Sequence, residues 1–519
     1  MNKIIIKACL VLGIGAGVAS CTDNYLEYNT NPAEPTYDQM QADGKLVATA
    51  MRGMQSNIIP SQEHLYQFVE ALIGGTYGGY MADSNPWNYS FIMYNPTQDW
   101  LKRPLTGDCV VSNVYSNYSQ LKKVTDDALV LAIGDVVRIS AMVRLADMYG
   151  PIPYSKVGSN GSSATPYDSQ KDAYLRMFEE LNVAIEALTA QRTSAISPKV
   201  DRIFGGKIEK WVKFANSLKL RMAMRIVYAE PAMAQQHAES AVNHEVGTMA
   251  DNNDIAFLEL NSKHPLVLIM NEWGDTRVAA DITSYMNGYN DPRRAKYFMP
   301  STFSYATNGF IGMRRGYQAP DKNEGMQYSN INMAADNNKL LVMNAAETAF
   351  LKAEGALRGW NMGGTAQEFY EQGIRLSFEQ WGAGSAANYI ANQTSMPEAY
   401  IDPLGKNSDD GKASTIKIAW DQSADEEANL ERIITQKWIA NFPLGIEAWA
   451  EYRRTGYPCL MKSPDNRSGG IVDDRMGARR LPYPQQAYAE NEFMPDAVKM
   501  LNGADNMDTR TWWDCKNIK

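Results

Sequence analysis

Histidine is nearly missing from this chain: His64, His237, His244 and His264 are the only four in 519 residues. So few leave little for a histidine-based metal centre, and His244-Glu245 has no second histidine four positions on, so no HExxH pair exists. GxSxG and Walker-type loops are missing as well, which removes the recognisable motifs of serine hydrolysis and nucleotide chemistry. Cysteine is sparse, with five residues and no CxxC, so a disulfide scaffold is excluded. Basic residues are outnumbered, 50 Lys and Arg against 59 Asp and Glu, which argues against a phosphate-binding surface and against a nucleic-acid partner. No apolar run reaches the roughly 18–20 residues that span a bilayer. What is present is a chain 45% hydrophobic with 28 Tyr and 11 Trp, ample for a sizeable core. Length alone suggests about three to four domain-sized units.

Residues 1–20 read as an address. Lys3 and Lys7 precede a 12-residue apolar run, Ala8 to Ala19, too short for a membrane span and typical of a signal-peptide core. Gly13, Gly15 and Gly17 could suggest a nucleotide loop, but no strand-turn-helix context surrounds them. Val18-Ala19-Ser20-Cys21 resembles a bacterial lipobox, with Val where Leu is usual and Ser where Gly or Ala is usual. That resemblance implies cleavage before Cys21 and acylation of its thiol; the alternative is an ordinary signal peptide with a stray cysteine. Each buried CH₂ contributes about 0.8 kcal/mol, so several chains on one cysteine anchor a protein stably. Removing residues 1–20 leaves 48 basic against 59 acidic residues, a net charge of −11. Residues 21–36, polar and proline-containing, read as a lipidated flexible tether. Asp23 and Glu27 resemble the signal that places Bacteroidetes lipoproteins on the outer face of the outer membrane. Cys109, Cys459 and Cys515 read as small buried residues, with a Cys459–Cys515 bridge as the alternative.

Helical periodicity dominates the rest. One stripe runs Tyr174, Phe178, Leu181, Ile185 and Leu188; another, within 207–228, runs Trp211, Phe214, Ala215, Leu218 and Met222. Ala346 to Leu357 and Ala366 to Trp381 make two more, stopped at Gly359 and Gly382. Ser423-Ala-Asp-Glu426 reads as a capping box opening the helix that carries Leu430, Ile433, Ile434 and Trp438. Pro443 is expected to open a further helix that ends at Gly456. Helices are also expected over 111–130 and 131–148. The fold class is therefore mostly α, an α-solenoid of helix pairs with little strand.

Two regions, about 74–105 and 250–337, break this pattern and read as long structured loops on the helical frame, with a short strand at Ile255–Leu260. Between Thr76 and Trp100 lie Tyr77, Tyr80, Trp87, Tyr89, Phe91, Tyr94 and Trp100, seven rings in 25 residues against a chain average of 10%. A flat ring can stack on the apolar face of a sugar while neighbouring amides bond its hydroxyls. Any one of these rings more readily fills a small core; Trp87 and Tyr89, beside Pro86 and flanking Asn88, are the ones expected to be exposed. Trp273 beside Gly274 makes a second candidate platform, with Arg277 as a hydrogen-bond fork.

Six segments in order carry a resemblance: RLADMYGPIPYSKV (144–157), KIEKWVKFANSLKLRMAMR (207–225), NDPRRAKYFMP (290–300), ETAFLKAEGALRG with EFYEQGIRLSFEQWG (347–382), ITQKWIANFPLGIEAWAEYRRTGYP (434–458) and RRLPYPQQAYAEN (479–491). Together they resemble the SusD/RagB family of outer-membrane lipoproteins over essentially the whole mature chain. The resemblance implies a single body over 37–519 built on tetratricopeptide-like helix pairs. It also implies a SusC-like, TonB-dependent β-barrel transporter as partner, a glycan or in some members a peptide as ligand, attachment to the outer membrane facing the cell exterior, and no cofactor. Within it, Trp211, Trp438 and Trp449 read as core, and Arg453, Arg454, Arg479 and Arg480 as partners of buried carboxylates or carbonyls. The expected function is capture of an oligomeric nutrient without catalysis. A surface glycoside hydrolase is the alternative, because its carboxylate pair is recognised in space and not in sequence. A peptide-binding uptake lipoprotein is another.

Overall fold

A computed structural model describes residues 44–159, 164–304, 309–319, 321–409 and 414–517. The leader, Cys21 and the 21–36 tether lie outside the described residues. The frame consists of α1 (Lys45–Gln55), α2 (Val110–Val124), α3 (Ala128–Tyr149), α4 (Gln170–Thr189), α5 (Ile208–Arg225), α6 (Pro231–Val242), α7 (Ala345–Leu357), α8 (Ala366–Gln380), α9 (Glu426–Ala440) and α10 (Gly445–Thr455). Successive helices pack α2 on α3, α3 on α4, α4 on α5 and α5 on α6, then α7 on α8, with α9 against both α7 and α8. This is the expected stack of helix pairs. Among the described residues no helix is long and apolar enough to cross a membrane.

Local chemistry sets the helix ends. Asp127 accepts from the N–H groups of Leu129 and Val130 and so starts α3, whose residues are buried almost all round because helices cover it on several sides. Thr365 and Glu368 form a reciprocal capping box at α8. The expected helices 111–130 and 131–148 therefore divide earlier, at 125–127, where Thr125 leaves helical geometry. The expected box at Ser423 is also displaced. Asp425 is the cap, accepting from Ala428 N–H, while the Ser423 hydroxyl donates to Asp421. Pro443 does not open a helix; it precedes Leu444, which caps α10 at Gly445.

One continuous apolar core runs from Ala48 to Trp513 and contains Trp211, Trp438 and Trp449, as expected. Threaded through it is a buried ionic network. Arg225 donates to Glu447 (2.6 Å) and Glu451 (2.7 Å), Arg221 binds Glu347 (2.7 Å), and Arg454 grips Glu354 through both terminal nitrogens (2.6 Å each). Arg479 pairs with Asp514 and Arg480 with Asp505, while Arg453 donates to the carbonyls of Asp147 and Arg479 and lies 3.7 Å from the centre of the Trp449 ring. The four arginines thus have the structural role expected of them. Cys109 is buried, but Cys459 is half-buried and Cys515 exposed, and all three are free, which overturns both the uniformly buried reading and the bridge.

The strands form three two-stranded antiparallel ladders: β1 (Met81–Asp83) with β3 (Thr276–Val278), β2 (Ala256–Glu259) with β6 (Lys339–Met343), and β4 (Phe298–Met299) with β5 (Asn330–Ile331). β2 is the strand expected at 255–260. Unexpected is the helical turn Glu63–Tyr66 that continues as a π-helix over Gln67–Gly75 and packs on α10. Its glycines permit that contact: a Cβ on Gly445 would collide with the backbone of Gly74 and Gly75. The glycine-rich start of the 74–105 region is therefore a backbone-to-backbone seam.

Candidate functional site

The β1/β3 ladder joins the two irregular regions. Its register pairs Met81 with Val278, Ala82 with Arg277 and Asp83 with Thr276. Past the last pair, Ser84 N–H donates to the Asp275 carbonyl (3.1 Å) and Ser84 Oγ to the Gly274 carbonyl (2.8 Å). The Asp275 carboxylate then accepts from Asn85 (2.5 Å), Gln67 (2.7 Å) and Lys322 (3.0 Å). Two stretches nearly 200 residues apart in the chain are thereby fixed side by side, and with them both candidate platforms.

Trp100, buried in the short helix Gln98–Lys102, is the hub of the first platform. Trp87 and Tyr89 meet it edge-on at 5.1 and 5.4 Å between ring centres, Phe91 lies at 5.7 Å and Phe68 at 5.5 Å. Tyr89 is 38% exposed and Trp87 half-buried, so the two rings expected to face outward are the most open of the seven, while the other five are buried. Polar bonds hold the loop between them. Asn95 donates to the Asn88 carbonyl (3.0 Å), Arg467 donates to the same carbonyl (2.8 Å), and Gln318 donates to Asn88 Oδ1 (2.9 Å). Arg467 in turn donates to Gln318 (2.8 Å) and is paired with Asp465.

Trp273 forms the second platform. It is half-buried at the end of the π-helical turn Val267–Glu272 and stacks on His64 with ring centres 5.3 Å apart and planes 24° from parallel. His64 and Phe68 are four residues apart on one helical segment, so that segment carries a ring toward each platform. Arg277 sits behind this surface, 3% exposed, donating Nη1 to the carbonyls of Met270 and Thr276 (2.9 Å each). Burial pushes its guanidinium down to about 10, the Asp275 charge pulling the other way. Composition alone marked neither Gln318 nor Arg467 nor His64, because each comes from a segment distant in sequence.

Beneath Trp87 and Gln318 lies a notch of about 10 Å³, room for about one water, lined also by Asp83, Ser90 and Tyr317. Burial pushes the Asp83 carboxyl up to about 7, opposed by a bond from Ser90 and assisted by the Asp275 charge. Two neighbouring carboxylates, one with a raised pKa, are the ingredients of glycoside hydrolysis. Here Asp83 is closed into a space too small for a glycosidic oxygen, and Asp275 is occupied by three donors. A cavity of about 750 Å³ is lined by Cys109, Tyr115, Tyr167 and Asn491 among others and shares no residue with the ring-lined face. Stacking on rings needs an open platform and not depth, so cavity size does not select the site. Among the described residues no group of three or more His, Cys, Asp or Glu is placed to hold a metal ion.

A helical stack that carries open rings and amides on irregular loops is the build of a binding protein. The chain belongs to the SusD-like family, the SusD and RagB outer-membrane lipoproteins, whose family model matches residues 27–514. A SusD homologue from Bacteroides uniformis is 46% identical, with a TM-score of 0.87 over 91% of this chain and 99% of its own. Another from Bacteroides thetaiotaomicron is 43% identical with a TM-score of 0.86, covering 91% and 99%. A chitin-binding SusD homologue from Flavobacterium johnsoniae is 38% identical with a TM-score of 0.85, again over 91% and 99%. No curated protein matches the chain. Family and structural neighbours together support a nutrient-binding outer-membrane lipoprotein.

Proposed function

We propose that this lipoprotein, acylated at Cys21 and facing the cell exterior, captures an oligosaccharide and delivers it to a SusC-like TonB-dependent β-barrel transporter. The observation that carries the reading is the open ring surface of Trp87, Tyr89 and Trp273, the first two packed edge-on against the buried Trp100 and the third stacked with His64. Rings held in place by packing lose little entropy on stacking against a sugar. Asn88 supplies an amide between two of them, and Arg277 acts as a positioning residue under the Trp273 turn. The chitin-binding relative supports a glycan as the ligand class. The capture we propose is non-covalent: of the two neighbouring carboxylates at the ladder that joins the platforms, Asp83 is enclosed and Asp275 is engaged by three donors.

The test is calorimetric titration of the protein with a panel of oligosaccharides, including N-acetylglucosamine oligomers, alongside the double variant Trp87→Ala, Trp273→Ala. At least one glycan should bind the parent, and the variant should lose that binding while its melting temperature changes little. Absence of binding across the panel, or release of reducing sugar on incubation, would overturn the reading. Co-purification of a TonB-dependent barrel from outer membranes tests the delivery step.

A further inference from the structure

We infer that the chain carries a second binding site, apart from the rings, that takes the carboxylate of an acidic sugar residue. A cleft of about 500 Å³, a volume usual for a small-molecule site, lies where segment 500–515 meets the start of α4, and it shares no residue with the ring-lined face. Arg510 lines it, half-buried, and donates one hydrogen bond, from Nη1 to the Lys516 carbonyl (3.0 Å). Among the described residues it pairs with no carboxylate, unlike the buried arginines of the frame. The acidic groups around the cleft already have donors: Asp514 is held by Arg479, Glu230 by Lys171 (2.5 Å) and Asp172 by the Ser169 hydroxyl (2.7 Å). Trp512, Leu501 and the exposed Met500 supply an apolar wall. Thr511, 5% exposed, also lines the cleft, and its hydroxyl has no partner.

A guanidinium without a partner is a planar fork that binds one carboxylate by two parallel charge-assisted bonds. The charge of Arg510 is felt inside the cleft: burial and the Asp514 charge push the Cys515 thiol up, and Arg510 pulls it down. Lys171 adds a second cation at the rim, 6.0 Å from the centre of the Trp512 ring, with N–H groups beyond the one that Glu230 takes. The apolar wall suits the C–H face of a sugar ring, and a ligand hydroxyl gives Thr511 the partner it lacks. The requirement for a carboxylate stands on Arg510; that a sugar bears it rests on the glycan reading just given. Stacking at the rings and reading of charge at Arg510 are then separate tasks on separate surfaces.

The experiment is calorimetric titration of the full chain in detergent with galacturonate, glucuronate and N-acetylneuraminate, with the uncharged galactose and glucose, and with acetate, sulfate and phosphate. At least one acidic sugar should bind about tenfold or more tightly than any neutral sugar or small anion, and more weakly as salt rises. Arg510→Gln should lose that binding, while the Trp87→Ala, Trp273→Ala variant keeps it. Cys515 reads the same site without a substitution: its free thiol is exposed and lines the cleft, so the acidic sugar should slow its alkylation by iodoacetamide severalfold, and galactose should not. Failure of every acidic sugar to bind a parent that binds neutral oligosaccharides overturns this inference and leaves capture at the rings standing; failure of both classes overturns both. Acidic-sugar binding that survives Arg510→Gln, or that leaves Cys515 unprotected, places the anion elsewhere and overturns the inference. Sulfate or phosphate bound as tightly as the sugar would show a general anion site and overturn the assignment to an acidic sugar.

Discussion

Asn85 donates its side-chain amide to the Asp275 carboxylate across 2.5 Å, joining the loop that carries Trp87 to the turn that carries Trp273. Gln67 and Lys322 converge on the same carboxylate, so Asp275 anchors both platforms. Asp275→Ala would leave two amides and an ammonium without their acceptor, a loss of about 1–3 kcal/mol for charge-assisted bonds of this kind. A melting temperature lowered by a few degrees and a glycan affinity weakened at least about tenfold are expected. Unchanged affinity in a folded Asp275→Ala protein would show that the two platforms act separately.

Trp87 and Trp100 touch, yet substitution should separate their roles. Trp87→Ala removes a half-buried ring from the outer surface and should weaken glycan binding by about 1.4 kcal/mol or more, a factor of ten, with little change in melting. Trp100→Ala empties the hub under four rings and should cost about 3–5 kcal/mol of stability, losing binding as a consequence. Paired calorimetric titration and thermal melts distinguish the two; equal melting losses would assign Trp87 to the core.

Asp83 makes the fold sensitive to pH near neutrality. Burial raises its carboxyl from the ordinary 3.8 to about 7, so between those values the folded state binds a proton that the unfolded state does not. The stability associated with the protonated form is complete below pH about 4 and is lost as pH rises through about 7, by at most about 4 kcal/mol. Asp83→Asn should flatten this slope and raise the melting temperature at pH 8. The check is a series of urea titrations from pH 5 to 8. A parent slope that persists in the variant would place the titrating group elsewhere.

Cys21 should decide where the protein resides. Acyl chains contribute about 0.8 kcal/mol per buried CH₂, and no described helix offers another means of crossing the bilayer. Cys21→Ser should abolish palmitate labelling and shift the protein out of the detergent phase on Triton X-114 partition. Retention in the detergent phase without label would mean that some other contact anchors it.

The helices were legible in sequence wherever one apolar stripe faced one neighbour, as along Tyr174 to Leu188. The boundary near residue 127 was harder, because α3 is buried almost all round and no polar face marks where it starts; the cap Asp127 was the available signal. The density of rings between Tyr77 and Trp100 pointed to a platform, and the proline and asparagines around Trp87 and Tyr89 pointed to its open part. Composition could not reveal Trp100 as the hub, since one of its neighbours is Phe68, nor that Asp275 would bind Gln67, 208 residues away. Helix periodicity is a local signal, whereas these contacts depend on which loops the β1/β3 ladder brings together.

The same limit applies to the ion pairs, and the last prediction tests what they contribute. Arg454 is fully buried and clasps Glu354, 100 residues away, while also binding Glu451 (2.9 and 2.7 Å). Burial alone would raise the Glu354 carboxyl, but the charge of Arg454, followed by that of Arg358, holds it down to about 2. A carboxylate depressed in this way contributes stability above its unfolded value near 4.5 and loses it as pH falls toward 2. Arg454→Met leaves Glu354 and Glu451 facing each other in the core with less positive charge, and should cost about 3–5 kcal/mol. Adding Glu354→Gln removes one of the two carboxylates left with fewer cations, Glu354 keeping Arg358 and Glu451 keeping Arg225 and Lys437, and should recover part of that loss, because the excess buried negative charge and not the missing attraction carries most of the penalty. Urea titrations of the parent, the single and the double variant measure both steps. A double variant no more stable than Arg454→Met would mean that the clasp works by geometry, through the paired forks that fix α7 against α10, and not by relief of an isolated charge.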